Sequence, residues 1–173
     1  ILLSSAEGWG LSLTESLLTG TPFIANVTGG MQDQMRFVDE NGNWYTNSIE
    51  VPSNHNGTFK EHGRWVLPVF PKALGMVGSP QTPYIWDSRC DFKDAKDRIV
   101  ELYQMSNKER KERGNEGKEW ALSDEAGFTS KNMAKIFTSG MEELFVTWKP
   151  RKKFTFWKDT DFEIRTLKHK LEY

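Results

Sequence analysis

The sequence predicts an α/β fold, a parallel sheet with flanking helices. Three observations carry this expectation. Ile1-Leu2-Leu3-Ser4-Ser5 and Phe23-Ile24-Ala25-Asn26-Val27 are short apolar runs of the kind that form strands buried on both faces. A glycine loop and a helix-like stretch lie between them. From Phe92 onward, apolar residues recur at three- and four-residue spacing, as on one face of a helix.

Taken in order, Ile1 to Ser5 is the first strand, and it ends in small residues where the chain would leave the sheet. Gly8 and Gly10 then bracket Trp9 in a loop from Ala6 to Leu11, where the backbone can take positive φ and lie bare beside a ligand. Ser12-Leu13-Thr14-Glu15 has the pattern of a capping box, the hydroxyl and the carboxylate closing orphan amides at a helix start. The helix should reach about Thr19. Gly20 suits the left-handed position after its end, and Thr21-Pro22 forbids continuation. Phe23 to Val27 is the next strand, left through a second glycine loop at Thr28-Gly29-Gly30. Together these make a βαβ unit.

Residues 39–91 read as an irregular insertion holding five of the seven prolines and the aromatics Trp44, Tyr45, Phe59, Trp65, Phe70, Tyr84 and Trp86. Only Trp65 to Val69 looks like a strand. So many aromatics argue against disorder, and a loop this long is usually functional. Trp44, Tyr45 or Trp86 could stack on a sugar, or the three could form the loop's own small core. Phe92, Ala95, Ile99, Leu102 and Tyr103 mark a helix capped by Asp91. Ser106-Asn107-Lys108-Glu109 opens a second, highly charged helix to about Leu122, with the charges forming a solvated face. A third helix near Ser130 to Trp148 aligns Met133, Phe137, Met141, Leu144 and Trp148. Lys149-Pro150 breaks it and leads into Arg151, Lys152, Lys153 and Phe154-Thr155-Phe156-Trp157.

Composition bounds the function. With 37% hydrophobic and 27% charged residues over 173 positions, the chain suits one ordinary globular domain. Residues 1–88 hold 4 basic and 8 acidic residues and residues 89–173 hold 19 and 16, so neither half looks like a nucleic-acid surface. Cys90 is the single cysteine, which suits a reducing, cytoplasmic setting. His55, His62 and His169 are the only histidines, and no structural zinc pattern or Asp-x-Asp motif points to a metal. Asn26-Val27-Thr28 and Asn56-Gly57-Thr58 are sequons that we read as unglycosylated. No apolar run approaches the roughly 20 residues of a membrane span.

The chemistry should sit where the strands end. In open α/β sheets, ligands bind beyond the carboxyl ends of strands, where helix N-termini offer free amides. Glu7 and Gly29-Gly30 occupy such ends, and amides near Leu11 to Leu13 could take a phosphate while carboxylates accept from hydroxyls. Taken singly, each feature has a plainer account. Glu7 alone is a solvated loop acid, Glu15 the back half of its capping box, and Gly29-Gly30 a turn. A dinucleotide-binding loop fits poorly, because after Gly8 and Gly10 the third glycine position holds Leu13.

Together, Glu7-Gly8-Trp9-Gly10-Leu11, Glu15-Ser16, Gly20-Thr21-Pro22, Phe23 to Val27 and Gly29-Gly30-Met31-Gln32-Asp33 resemble the donor-site signature of retaining GT-B glycosyltransferases, the large family-four (group 1) set. That signature reads Glu-Gly-Phe-Gly-Leu, then Glu-Ala, Gly-x-Pro, a strand and Gly-Gly-x-x-Glu. The match covers about residues 1–35, with Trp9 for Phe, Ser16 for Ala and Asp33 for Glu as departures. The resemblance implies a Rossmann-like C-terminal donor domain in which Glu7 bonds hydroxyls of the transferred sugar and Glu15 the nucleotide ribose. Gly8, Trp9, Gly10, Leu11 and Ser12 would supply backbone amides to sugar and diphosphate. No cofactor or metal is implied, and the acceptor, whether glycan, lipid or protein, is left open.

The expectation is therefore a hexosyl- or glycosyltransferase using a nucleotide-diphosphate sugar, with Glu7 the catalytic residue. Residues 1–148 would be a partial nucleotide-sugar-binding domain and 149–173 a C-terminal extension, packed back on the body or touching an anionic membrane through Arg151, Lys152 and Lys153. The start lacks an initiator methionine and falls inside a strand, so an N-terminal GT-B domain in cis is expected upstream. It should bring the cationic diphosphate clamp that Arg36, the only basic residue before Lys60, does not provide, and activity should need it. A non-catalytic GT-B-like binding module and a nucleotide-sugar epimerase of the same fold are the alternatives.

Overall fold

The computed structural model describes residues 1–45 and 48–150. The expectations placed on Arg151, Lys152, Lys153, Phe154, Phe156, Trp157 and His169 lie outside the described residues. The chain divides into two compact units, Ile1–Met133 and a second that begins at Ala134.

The first unit is α/β with a small parallel sheet. Strand β1 (Phe23–Asn26) runs parallel to β2 (Val66–Val69), with Phe23 opposite Val66 and Asn26 opposite Val69. Successive side chains of a strand point to opposite faces, and here both faces are covered. Phe23, Ala25 and Val66 join one core with Leu13 and Leu17 of helix α1 (Leu11–Leu18) and with Trp120 and Ala121 further along the chain. Ile24, Leu67 and Val69 join a second core with Ala95 and Met105. Pro68 cannot donate to a ladder, as befits β2 with β1 on one side only.

The first expected strand is smaller than the sequence suggests. Ile1 to Ser5 makes a single parallel bridge, Leu2 with Ala25, and Ile1 is exposed. The cause lies in the next carbonyls, which go to other donors. Asn26 Nδ2 donates to Ser4 O (3.0 Å), and Thr28 Oγ1 (3.3 Å) and Ser88 N–H (2.8 Å) both donate to Ser5 O.

Helix α1 starts without the expected capping box. Its N-cap is Gly10, left-handed at φ 81°, and no side chain caps it. The Gly10 carbonyl accepts from Leu13 N–H (2.9 Å), so the first turn closes on backbone and Ser12 lies inside the helix. At the other end Gly20 N–H bonds Leu17 O (2.9 Å) and Thr21 N–H bonds Ser16 O (2.8 Å) around a left-handed Gly20. This paired closure is the Schellman arrangement that Gly20-Thr21-Pro22 predicts.

Within 39–91 the structure is more regular than expected. Strands β3 (Pro71–Ser79) and β4 (Thr82–Cys90) pair antiparallel as a hairpin between β2 and helix α2 (Phe92–Gln104). Asp91 caps α2 by accepting from Lys93 N–H and Asp94 N–H, as the sequence indicates. Ser106 likewise caps α3 (Asn107–Leu122), although Glu109 completes no box and instead pairs with Arg113 (2.9 Å). The charged faces of α3 are solvated, while Gly114 and Gly117 are buried. A Cβ on Gly114 would collide with the Gly20 carbonyl oxygen, so glycine is what lets α3 approach the end of α1.

Helix α4 (Ser130–Thr147) begins in the first unit and continues into the second. Of its expected stripe, Met133, Phe137 and Leu144 are exposed, as is Trp148 beyond its end. Among the described residues no helix is long and apolar enough to cross a membrane.

Candidate functional site

Two glycine loops cross at the carboxyl end of the sheet. The first, Ala6 to Gly10, follows the Leu2 bridge, and the second opens a short 3₁₀ helix (Gly29–Gln34) after β1. Gly30 N–H donates to the Glu7 carbonyl (3.3 Å). A side chain is impossible at the crossing. A Cβ on Gly29 would collide with the Glu7 carbonyl oxygen, and one on Gly30 with that of Gly8. Gly29 is also at φ 47°, in the left-handed region. The two glycines therefore serve the approach of one backbone to another, which makes them more than a turn.

A polar network sets the height of the first loop. Gln34, fully buried, donates from Nε2 to Trp9 O (2.6 Å) and accepts at Oε1 from the Thr14 hydroxyl (2.8 Å). Thr14 Oγ1 in turn accepts from the Trp9 indole N–H (2.9 Å). The Trp9 ring lies edge-on to Phe128 at 5.2 Å, and Phe128 meets Trp120 at 5.3 Å. Trp9 thus faces inward. It anchors the loop to the core and offers any ligand only its backbone.

The hairpin forms another wall. Ser88 N–H donates to Ser5 O, and Ser88 O accepts from Asn26 Nδ2 (2.8 Å). The buried Asn26 amide therefore ties β4 and the approach to the first loop to the same point of β1. Ala6, Glu7, Gly8, Thr28, Gly29, Ile85 and Trp86 line a cleft of about 470 Å³ between these elements.

Of the sequence-derived site residues, Glu7 and Gly8 line this cleft together with Gly29. Trp9, Gly10, Leu11, Ser12 and Glu15 do not line it. Gly10 is buried, and Leu11, Ser12 and Glu15 are exposed at the start of α1. The Leu13 amide, expected to be free for phosphate, is taken by Gly10 O. Glu15 completes no cap and leaves its carboxylate at the surface of α1.

Asp33 points elsewhere. Burial pushes its carboxyl above the usual value of 3.8, and the Tyr45 phenol is raised by its own burial and then by the Asp33 charge. Arg36 grips Glu125 through two nitrogens, at 3.2 and 2.8 Å, so it is committed to an ion pair. Trp44 packs edge-on to Trp120 (5.5 Å) and Tyr45 on Phe59 (4.8 Å), the loop-core alternative for both. Trp86 instead stands 63% exposed. Sequence reasoning missed Gln34, the last residue of the 3₁₀ helix, which no local pattern marks as buried, and it missed Ile85.

Among the described residues no group of three or more His, Cys, Asp or Glu side chains is arranged to hold a metal ion. No family model, curated protein or solved structure matches the chain.

Proposed function

We propose that this chain supplies the donor site of a retaining, nucleotide-sugar-dependent glycosyltransferase on a Rossmann-like scaffold. The observation that carries the reading is the crossing of the two glycine loops, which holds Glu7 in a cleft at the carboxyl ends of parallel strands. In a retaining transfer, an oxocarbenium-like centre develops as the diphosphate departs. A fixed carboxylate orients the ring and favours positive charge there, while helix-start amides meet the leaving group. The Leu11 and Ser12 amides begin α1 and would face the diphosphate, with Glu15 one turn further on the same helix accepting from ribose hydroxyls.

Calorimetric titration with UDP and with GDP, and transfer assays in which released nucleotide is measured, test this division of labour. Glu15→Ala should weaken nucleotide binding about tenfold, the loss of one charge-assisted hydrogen bond. In the full-length enzyme, Glu7→Ala should lower turnover more than donor affinity. Equal loss of nucleotide affinity in both variants would overturn the assignment. Nucleotide binding by the full-length protein with no transfer to any glycan, lipid or protein acceptor would favour a binding module, and an epimerised sugar formed without acceptor an epimerase.

A further inference from the structure

The cleft has a wall that the donor-site reading does not use. Ile85 and Trp86 come from β4, in the hairpin between β2 and α2. Trp86 is 63% exposed, whereas Trp65 and Trp120 are buried and stacked on each other at 4.9 Å. An exposed indole at the mouth of a cleft has an unused π-face. Its position is held by the neighbouring structure, since Ser88, two residues along the strand, is bonded to both Ser5 and Asn26. Met76 sits opposite Trp86 in the hairpin register, on the same face of the hairpin.

The charge of the lining decides what kind of group fits. Seven residues line the cleft, one acidic, one hydroxylic, two glycines, alanine, isoleucine and tryptophan, with no cation among them. An anionic group such as a diphosphate would meet the Glu7 charge with nothing to neutralise it. A neutral pyranose meets both chemistries at once. Its axial C–H bonds form an apolar patch that stacks on an indole, and its hydroxyls donate to a carboxylate.

We infer that the part of β4 carrying Trp86 is a subsite for a neutral carbohydrate ring, the sugar that receives the transferred group, stacked on the Trp86 indole opposite the Glu7 loop. Its role as acceptor site rests on the glycosyltransferase reading, but its affinity for a neutral sugar does not.

The test is saturation-transfer NMR on the whole chain with two sets of probes. One set is the methyl glycosides of glucose, mannose, galactose and N-acetylglucosamine, and the other is UDP and GDP. At least one methyl glycoside should bind, with saturation strongest on the ring protons of one face. Trp86→Ala should weaken it at least about tenfold, equivalent to about 1.4 kcal/mol. Trp86→Phe, which keeps an aromatic face, should restore most of the affinity, and neither variant should change nucleotide binding. Because the side chain is exposed, circular dichroism and melting of both variants should match the parent. The absence of glycoside binding, or binding indifferent to Trp86→Ala, would overturn the subsite even where nucleotides bind. Glycoside binding that needs Trp86 in a chain that binds no nucleotide would uphold the subsite and sink the donor-site reading.

Discussion

At the scale of single residues, Gln34 carries more of the site's geometry than any charged group. It has both amide ends engaged, with Trp9 O on one side and Thr14 Oγ1 on the other, and no exposure to water. Removing a buried partner costs the desolvation of the groups left behind. Gln34→Leu keeps the volume and strands the Trp9 carbonyl and the Thr14 hydroxyl, so we expect about 1–3 kcal/mol lower stability in urea unfolding. The Trp9 indole N–H resonance should also shift, because its acceptor Thr14 loses its own acceptor. An unchanged midpoint together with an unshifted indole would show that the network does not hold the loop. Glu7 and Gly8 were legible in the sequence because glycines beside an acid are a local pattern. Gln34 was not, since its partners lie 20 and 25 positions away and nothing local marks a buried amide.

Among the elements, α1 and α3 meet through glycine. In an exposed helix, replacing glycine by alanine stabilises by about 0.5–1 kcal/mol because the unfolded chain has less freedom to lose. Gly140 in α4 has nothing within 4 Å of a Cβ position, so Gly140→Ala should follow that rule. Gly114 should break it, for its Cβ would strike the Gly20 backbone, and Gly114→Ala should destabilise by about 1–3 kcal/mol as an overpacked site. Thermal melts of the two variants should move in opposite directions, and a parallel shift would refute the close approach. The same contrast explains which elements could be read. Strands β1 and β2 are buried on both faces, so burial writes them as apolar runs. Strands β3 and β4 are largely exposed on both faces and carry Gly75, Gly78 and Pro83, so neither alternation nor an apolar run betrays the hairpin. The start of α1 was misplaced because a left-handed Gly10, a backbone device, does the work assigned to Ser12 and Glu15.

For the molecule as a whole, proton linkage offers a test of the interior. The folded state raises the Asp33 pKa above 3.8 by burying the carboxyl, so it holds that proton more tightly than the unfolded chain. Stability from this group is therefore full below pH 3.8 and is lost as pH rises through the raised value. Asp33→Asn should raise the melting temperature at neutral pH, and the gain should vanish at about pH 3, where the parent carboxyl is protonated in both states. A gain of equal size at both pH values would mean that charge burial is not its source. The broad α/β architecture was visible in the sequence because it follows from burial, a property that each residue declares locally. The cleft was only half visible, since its hairpin wall joins the glycine loops through Asn26, a residue that reads as part of a strand.

The crossing of the two loops has one more consequence. Its shape is written in main-chain atoms, with Gly29 and Gly30 lying against the carbonyls of Glu7 and Gly8. Ala6, Ile85 and Trp86 border that frame without building it. A library randomising these three positions should therefore yield folded variants that differ in which ligand they choose, while one randomising Gly29 or Gly30 should yield few that fold. The protein separates the part that must stay fixed from the part free to evolve a new preference.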